Sequence, residues 1–249
     1  MLRLLDEFPS CSLNIFEFLR AAPPLRPRYY SVSSSPRIHG DDVAHLTVGL
    51  DAVPVPGRPG REPRGMSSHY LHALRQGDRL TVFLDRADGF RLQEDVTKPM
   101  IFVSAGTGFA PMRGFLWERL ALKHAGVPLA EAALFNGIRS SRLDYIYRDE
   151  IERFAAEGVL SHVHVATSRE RPGQRDYVQD RIREQGALLW RLLAAEGYVY
   201  VCGSQPMRDA VRDAFIDVVA EHGPLPREHA EAYLQQLELT ARYRPDLWG

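Results

Sequence analysis

The stretch Arg28-Tyr29-Tyr30-Ser31 puts a cation, two aromatic rings and a hydroxyl on four consecutive residues. In an extended chain Arg28 and Tyr30 share one face, and Tyr29 and Ser31 the other. A flavin needs such a mix: a cation for its pyrophosphate, an aromatic against a ring and a hydroxyl near the isoalloxazine. A plain sheet surface with cross-strand aromatic pairs accounts for it equally well. A second stretch, Ser104-Ala105-Gly106-Thr107-Gly108-Phe109-Ala110-Pro111, is a small-residue turn. Its glycines would let backbone amides approach a phosphate at a helix N-terminus. It matches neither Gly-x-Gly-x-x-Gly nor Gly-x-x-x-x-Gly-Lys-Ser/Thr, so a tight turn with no ligand is the alternative. A third group is Ser168 and Arg169, with Arg175, Tyr177 and Gln179 shortly after. Two guanidinium groups, a serine and a tyrosine on one loop suit a phosphate monoester such as a nucleotide 2′-phosphate. A solvated arginine-rich loop is the competing reading.

Other candidates carry less. Cys202, in Tyr-Val-Cys-Gly, is either a buried structural thiol or a soft group beside a reacting ring. His162 and His164 share a strand face without a cysteine or carboxylate to complete a metal site, so no metal is expected. Asp144, Asp149 and Glu150 read as a solvated helix start. Trp248 stands one residue from the end of the sequence, where polar residues are usual; it either docks in the core or stacks on a planar ligand.

The background composition is ordinary. Basic and acidic residues number 31 and 32, for a net charge of −1. No overall basic field favours nucleic acid, so an anion site has to be built locally. Lys98 and Lys123 are the only lysines; arginine supplies every other basic residue, so a lone arginine says little. Cys11 and Cys202 form neither a disulfide framework nor a zinc pair, which suits a reducing compartment. Charges at Arg3, Asp6 and Glu7 interrupt any signal core, and no run reaches the roughly 20 apolar residues of a membrane span. A soluble, cytoplasmic chain is expected.

Two halves must position these groups. Residues 28–33, 44–50 and 79–84 read as strands, separated by a Pro/Gly/Arg loop over 53–64 and a short helix over 67–75 closed by Gly77. This implies a small antiparallel barrel or sheet over residues 1–96. From residue 97 to 249, strand and helix alternate. Strands are predicted at 100–103, 132–135, 163–166 and 198–202. Helices are predicted from Phe109 onward, over 148–156, over 178–193 and around Met207, Val211, Phe215 and Val218. Such alternation implies a parallel sheet covered on both faces, with ligands at the carboxyl edge of its strands.

The ordered series FPSC, PPLRPRYYSVSSSP, SAGTGFAPMRGF, DYIYRDE, TSRE, DYVQ, YVCG and RYRPDLWG resembles the NADPH–hemoprotein reductase family. The resemblance covers nearly the whole chain and is nearest to the reductase half of bacterial self-sufficient haem monooxygenases. It implies a partial antiparallel FAD-binding barrel followed by a parallel-sheet, NADP-binding, ferredoxin-reductase-like domain. By the same resemblance, Arg28, Tyr29, Tyr30 and Ser31 would hold FAD, Thr47 and Val48 would line it, and Gly65, Met66, Ser67 and Ser68 would take its pyrophosphate. Gly106, Thr107 and Gly108 would bind the NADPH pyrophosphate. Ser168, Arg169, Arg175 and Tyr177 would read the 2′-phosphate, with Arg139 and Gln179 adding contacts. Ser31, Cys202 and Asp246 would surround the hydride-transfer point, and Trp248 would cover the flavin.

The activity implied is hydride transfer from NADPH to FAD. Electrons would then pass to an FMN-containing flavodoxin-like domain or protein and on to a haem monooxygenase. The chain departs from the pattern in three ways. It has no FMN domain, and only 27 residues precede Arg28, so the resemblance implies a barrel lacking its first strands. Ser204 stands where the family usually has aspartate, and Asp51-Ala52-Val53 lacks an adenine-contacting aromatic. A ferredoxin-type or nitric-oxide-synthase-type reductase, and a non-catalytic fragment that binds only NADPH or a partner, are the alternatives.

Overall fold

A computed structural model describes residues 8, 10, 14–22, 24–50, 65–86, 89–171, 173 and 175–246. The expected loop over 53–64, Asp51-Ala52-Val53, Cys11 and Trp248 lie outside the described residues. The chain folds around five parallel strands: β1 (Met100–Ala105), β2 (Ala132–Ile138), β3 (His162–Thr167), β4 (Tyr198–Cys202) and β5 (Tyr243–Pro245), in the order β3-β2-β1-β4-β5. β1 opens with four apolar residues, Met100 to Val103, because both its faces are covered.

Alternation divides the strand side chains between two cores. Met100, Phe102, Leu134, Tyr200 and Cys202 pack on one face, and Ile101, Val103, Phe135, Val199 and Val201 on the other. Helix Phe109–His124 covers the first face through Met112, Leu116 and Leu120, one helical stripe, aided by Ile151 and Phe154 of helix Arg148–Ala156. The second face is covered by helices Val178–Glu184, Gly186–Ala194, Gln205–His222 and Arg227–Leu239.

Numbered in chain order, the helices are α1 (Ile15–Ala21), α2 (Pro36–His39), α3 (Met66–Ala73), α4 (Phe109–His124), α5 (Arg148–Ala156), α6 (Val178–Glu184), α7 (Gly186–Ala194), α8 (Gln205–His222) and α9 (Arg227–Leu239). The single helix expected over 178–193 is broken at Gln185. α7 opens on Gly186, which packs against the end of α8: a Cβ there would lie 2.3 Å from His222 Nε2.

The first half departs further from expectation. The helix expected over 67–75 is present as α3, and Gly77 follows it with φ +95°. The strands expected over 28–33, 44–50 and 79–84 form no ladder among the described residues. One antiparallel bridge, Val32 to Leu46, and the bond from Ser33 N–H to the His45 carbonyl at 2.8 Å are what pairs the first two. A strand needs a neighbour for its N–H and C=O groups, and residues 79–84 have none among the described residues. Val82, Phe83 and Leu84 are 72%, 60% and 85% exposed.

The chain order of the sheet creates a switch point. β1 is flanked by β2, the next strand in sequence, and by β4, reached only after β3. The loops leaving β1 and β4 therefore diverge at the carboxyl edge, which is where open parallel sheets bind ligands. The helix α9 and strand β5, absent from the sequence expectation, carry the chain back to that edge beside β4.

Candidate functional site at the carboxyl edge

After β1 the chain makes a 3₁₀ turn over Gly106–Gly108 and enters α4. Gly106 has φ +54°, a backbone that glycine adopts readily. Gly108 is fixed by close approach: a Cβ there would lie 2.3 Å from the carbonyl oxygen of Cys202. The β1 turn thus packs directly on the end of β4. Thr107 faces the first half, where a Cβ on Gly49 would come within 3.3 Å of its Cγ2. Val48, next to Gly49, is half-buried.

Beside this turn three polar groups converge. β5 pairs with β4, and Asp246 N–H donates to the Val201 carbonyl at 2.8 Å, which sets the Asp246 side chain level with Cys202. The Ser31 hydroxyl donates to Asp246 Oδ2 at 3.3 Å, and the Cys202 thiol faces the same oxygen at 3.5 Å. Arg208 donates to the Asp246 backbone carbonyl and anchors it from α8. Residues 31, 202 and 246, distant in sequence, therefore share one carboxylate oxygen.

The other residues singled out in the first half are only partly gathered. The Tyr30 hydroxyl donates to Ser67 Oγ at 2.9 Å, joining the 28–31 segment to the start of α3. Gly65 caps that helix, Met66 is exposed, and the buried Ser68 donates to the Gly65 carbonyl. Tyr29 is exposed, edge-on to Phe83 at 5.8 Å. Arg28 reaches backbone carbonyls of Arg26 and Pro27 and none of the other singled-out residues. Thr47 shares a 2.9 Å hydrogen bond with the Tyr147 hydroxyl. Tyr30, Thr47 and the α3 N-terminus thus offer hydroxyls and amides with Arg28 close in sequence, a donor set of the kind a flavin with its pyrophosphate requires.

The second arginine group lies at the ends of β2 and β3. Ser168 N–H and Oγ donate to the Ile138 carbonyl, and Arg169 N–H donates to the Arg139 carbonyl at 2.8 Å, so Arg139 and Arg169 leave adjacent strands side by side. Asp176 accepts from Thr167 N–H and pairs with Arg181, which folds the loop back and returns Arg175 to the end of β3. Tyr177 caps α6, and Gln179 lies half-buried in its first turn. Arg139, Arg169 and Arg175 are exposed, and their guanidinium groups have no acidic partner among the described residues. Arginines on the helices are paired instead: Arg148 with Glu152, Arg153 with Glu157, Arg191 with Glu131 and Arg212 with Glu238. Three cations left without carboxylates at one sheet edge suit a phosphate monoester.

Sequence reasoning missed the residues that hold the first half in place. Arg113 of α4 makes a bidentate pair with Glu150, at 2.6 and 2.8 Å, and donates to the Ser33 carbonyl at 2.7 Å. The indole of Trp117 donates to Glu150 at 3.0 Å. His45 Nδ1 lies 3.2 Å from Arg113; burial, together with His39 and Arg113 nearby, lowers its pKa below the usual imidazole value. Gly114 lets the 32–34 backbone lie against α4, since a Cβ would meet the Ser34 carbonyl at 3.1 Å. The solvated helix start expected of Asp144, Asp149 and Glu150 is corrected for two of them. Asp144 accepts backbone N–H groups of Arg139 and Ser140, and Glu150 grips Arg113. Nothing in DYIYRDE itself signals that Glu150 meets Arg113 or that Tyr147 meets Thr47, 100 residues away.

Comparison with known proteins finds two family models along the chain. The FAD binding domain model matches residues 1–70, and the oxidoreductase NAD-binding domain model matches residues 102–213. A bifunctional cytochrome P450/NADPH–P450 reductase of Bacillus subtilis is 39% identical over all of this chain, which covers 23% of that protein. The NADPH–cytochrome P450 reductase of Rattus norvegicus is 35% identical over all of the chain and 37% of its own length. The sulfite reductase [NADPH] flavoprotein alpha-component of Sodalis glossinidius is 38% identical over 95% of the chain and 38% of its own length. The chain spans less than two-fifths of each of these relatives. No helix among the described residues is long and apolar enough to cross a membrane.

Proposed function

Since the chain belongs to the NADPH–hemoprotein reductase family, with FAD- and nucleotide-binding regions, we propose that it is an NADPH-dependent flavin reductase module. Its electrons would pass to an FMN-containing flavodoxin-like domain or protein and then to a haem protein such as a monooxygenase. The observation that carries the reading is the meeting of Ser31, Cys202 and Asp246 at one carboxylate oxygen, beside the glycine turn of β1.

FAD, held there, would supply the chemistry of hydride acceptance from NADPH and single-electron release. The protein contributes position and charge. Residues 1–96 would hold the flavin through Arg28, Tyr29, Tyr30 and Ser31, through Thr47 and Val48, and through the α3 amides from Gly65 to Ser68. Residues 97–249 would hold the nucleotide, its pyrophosphate at Gly106, Thr107 and Gly108 and its 2′-phosphate at Ser168, Arg169, Arg175 and Tyr177, with Arg139 and Gln179 alongside. The Asp246 carboxylate keeps the Ser31 hydroxyl proton and the Cys202 thiol proton turned toward Oδ2. A carboxylate there favours the positive charge that builds on a nicotinamide as hydride departs. Cys202 is buried and Ser31 half-buried, which limits water at that point. Trp248 would lie over the flavin.

A second reading has its own support. The chain taken alone would bind NADPH without turnover, since the first half forms no strand ladder among the described residues and exposes Val82, Phe83 and Leu84. The visible spectrum of the purified chain with FAD, recorded anaerobically before and after NADPH, separates the two. Retained flavin absorbance that NADPH bleaches supports the reductase. Tight binding of NADPH with no retained flavin, or with flavin that stays oxidised, supports the second reading.

A further inference from the structure

The motif Asp144-Tyr145-Ile146-Tyr147-Arg148-Asp149-Glu150 supplies none of the groups assigned above to flavin or nucleotide, yet Tyr147 is unusual in two respects. Its backbone is left-handed, φ 56° and ψ 26°, a region that non-glycine residues seldom adopt. Its side chain meets the first half: the hydroxyl shares a 2.9 Å hydrogen bond with Thr47, while the ring lies 4.6 Å from the Arg113 guanidinium and 6.0 Å from Phe109. Phe109 opens the helix that follows the glycine turn.

Tyr147 also ends a stiff loop. Asp144 accepts N–H groups from Arg139 and Ser140, which closes the chain between β2 and α5 on itself. Ser141 donates from N–H and hydroxyl to Glu170, at 2.7 and 2.8 Å, which ties this loop to the one carrying Ser168 and Arg169. Hydrogen bonds thus link the loop carrying Arg169 and Glu170 to Ser141, and the Asp144 turn to Arg139 and Ser140; three residues further along the chain Tyr147 reaches Thr47.

We propose that Tyr147 is a positioning residue that couples the phosphate-monoester loops to the 44–48 segment, so that a bound nucleotide steadies the wall proposed to line the flavin. The inference rests on the reading that the Arg139–Arg169–Arg175 group binds a 2′-phosphate. The left-handed turn stands at the residue whose hydroxyl crosses to Thr47. Coupling of this kind is shown only when both sites bias the same element, so the test perturbs one site and reads the other.

The test is backbone hydrogen exchange of the full chain with and without adenosine 2′,5′-bisphosphate, a probe with the phosphate monoester and no nicotinamide. In the wild type, the probe is expected to slow exchange at 138–144 and 168–177 and also at 44–48. In Tyr147→Phe the ring stays over Arg113, probe affinity and the first two effects are expected to persist, and the slowing at 44–48 to be lost. Thr47→Val, which removes the other hydroxyl, is expected to reproduce that loss, and the double variant to add nothing. Slowing at 44–48 that survives in Tyr147→Phe, or that never appears in a wild type that binds the probe, overturns the coupling alone. A wild type that does not bind the probe overturns the nucleotide reading, and the coupling falls with it.

Discussion

From Phe90 onward, apolar side chains alternate across five parallel strands and fill both faces of the sheet. Before Phe90, the buried residues among those described are Ser33, Ser34, Ser35 and Ser68. The two regions are therefore secured by different forces. A buried leucine or phenylalanine contributes roughly 1.5–3 kcal/mol, and the later region has dozens of apolar residues behind it. A net hydrogen bond contributes about 1 kcal/mol, and the earlier region is fastened by a handful of these to α4, α5 and β5. The later one packs on itself; the earlier one takes its place from Arg113, Glu150, Glu118, Tyr147 and Asp246. The converging trio stands where the two meet.

The sharpest way to break this comparison is to make the same substitution on both sides. Leu134→Ala, in the fully buried centre of β2, is expected to destabilise the fold by about 3 kcal/mol. Leu84→Ala should stay within about 0.5 kcal/mol. Urea unfolding of both variants measures this; equal losses would mean the earlier region has a core of its own.

Removing the main clamp comes next. Arg113 is nearly buried, and Glu150→Ala strands its charge. The expected loss is roughly 2–3 kcal/mol, below the 3–5 kcal/mol of a fully buried pair, because Glu150 keeps 26% of its side chain in solvent. Hydrogen exchange should show the 31–46 segment loosening first, with β1 and β4 unaffected.

Arg169→Ala tests the later region's ligand edge. A lost charge-assisted hydrogen bond should weaken NADPH binding by about 1.5–3 kcal/mol, or roughly 10- to 150-fold, and leave NADH binding unchanged. Calorimetric titration with both nucleotides decides it.

The smallest effect concerns acid. Burial lowers the pKa of His45 in the earlier region and of His164 in the later one, each from 6.5. Each then binds protons more readily unfolded than folded, so stability rises with pH up to the unfolded value and falls as pH drops below about 6.5 toward the lowered folded values. Denaturation midpoints at pH 7.5 and 5.5 should differ in that direction, and His45→Asn should shrink the difference.

Much of the later region was legible in the sequence. Apolar runs over 100–103, 132–135 and 198–202 mark β1, β2 and β4, β-branched residues between histidines mark β3, and the stripes Met112-Leu116-Leu120 and Val211-Phe215-Val218 mark helices. Beside the break at Gln185, Gly186 lies against His222, a contact across space that the local sequence does not show. α9 and β5 were missed because β5 has three residues and depends on β4 to be a strand at all. In the earlier region, β-like composition over 79–84 misled, since residue type cannot supply a partner strand. For the site, Ser31, Cys202 and Asp246 were named together through resemblance, and their shared oxygen is geometry no spacing rule contains. Arg113, Tyr147 and Glu150 left no signal because their roles exist only in contacts between distant segments.

The meeting of the two regions at Asp246 is tested most directly by anaerobic stopped-flow reduction of bound FAD by NADPH, in the wild type and in Asp246→Ala. The expected result is a rate at least roughly 100-fold lower in the variant, the scale of a lost alignment at the reacting atoms, with NADPH affinity unchanged. Equal rates in the two proteins would contradict the assignment of this carboxylate to the hydride-transfer point.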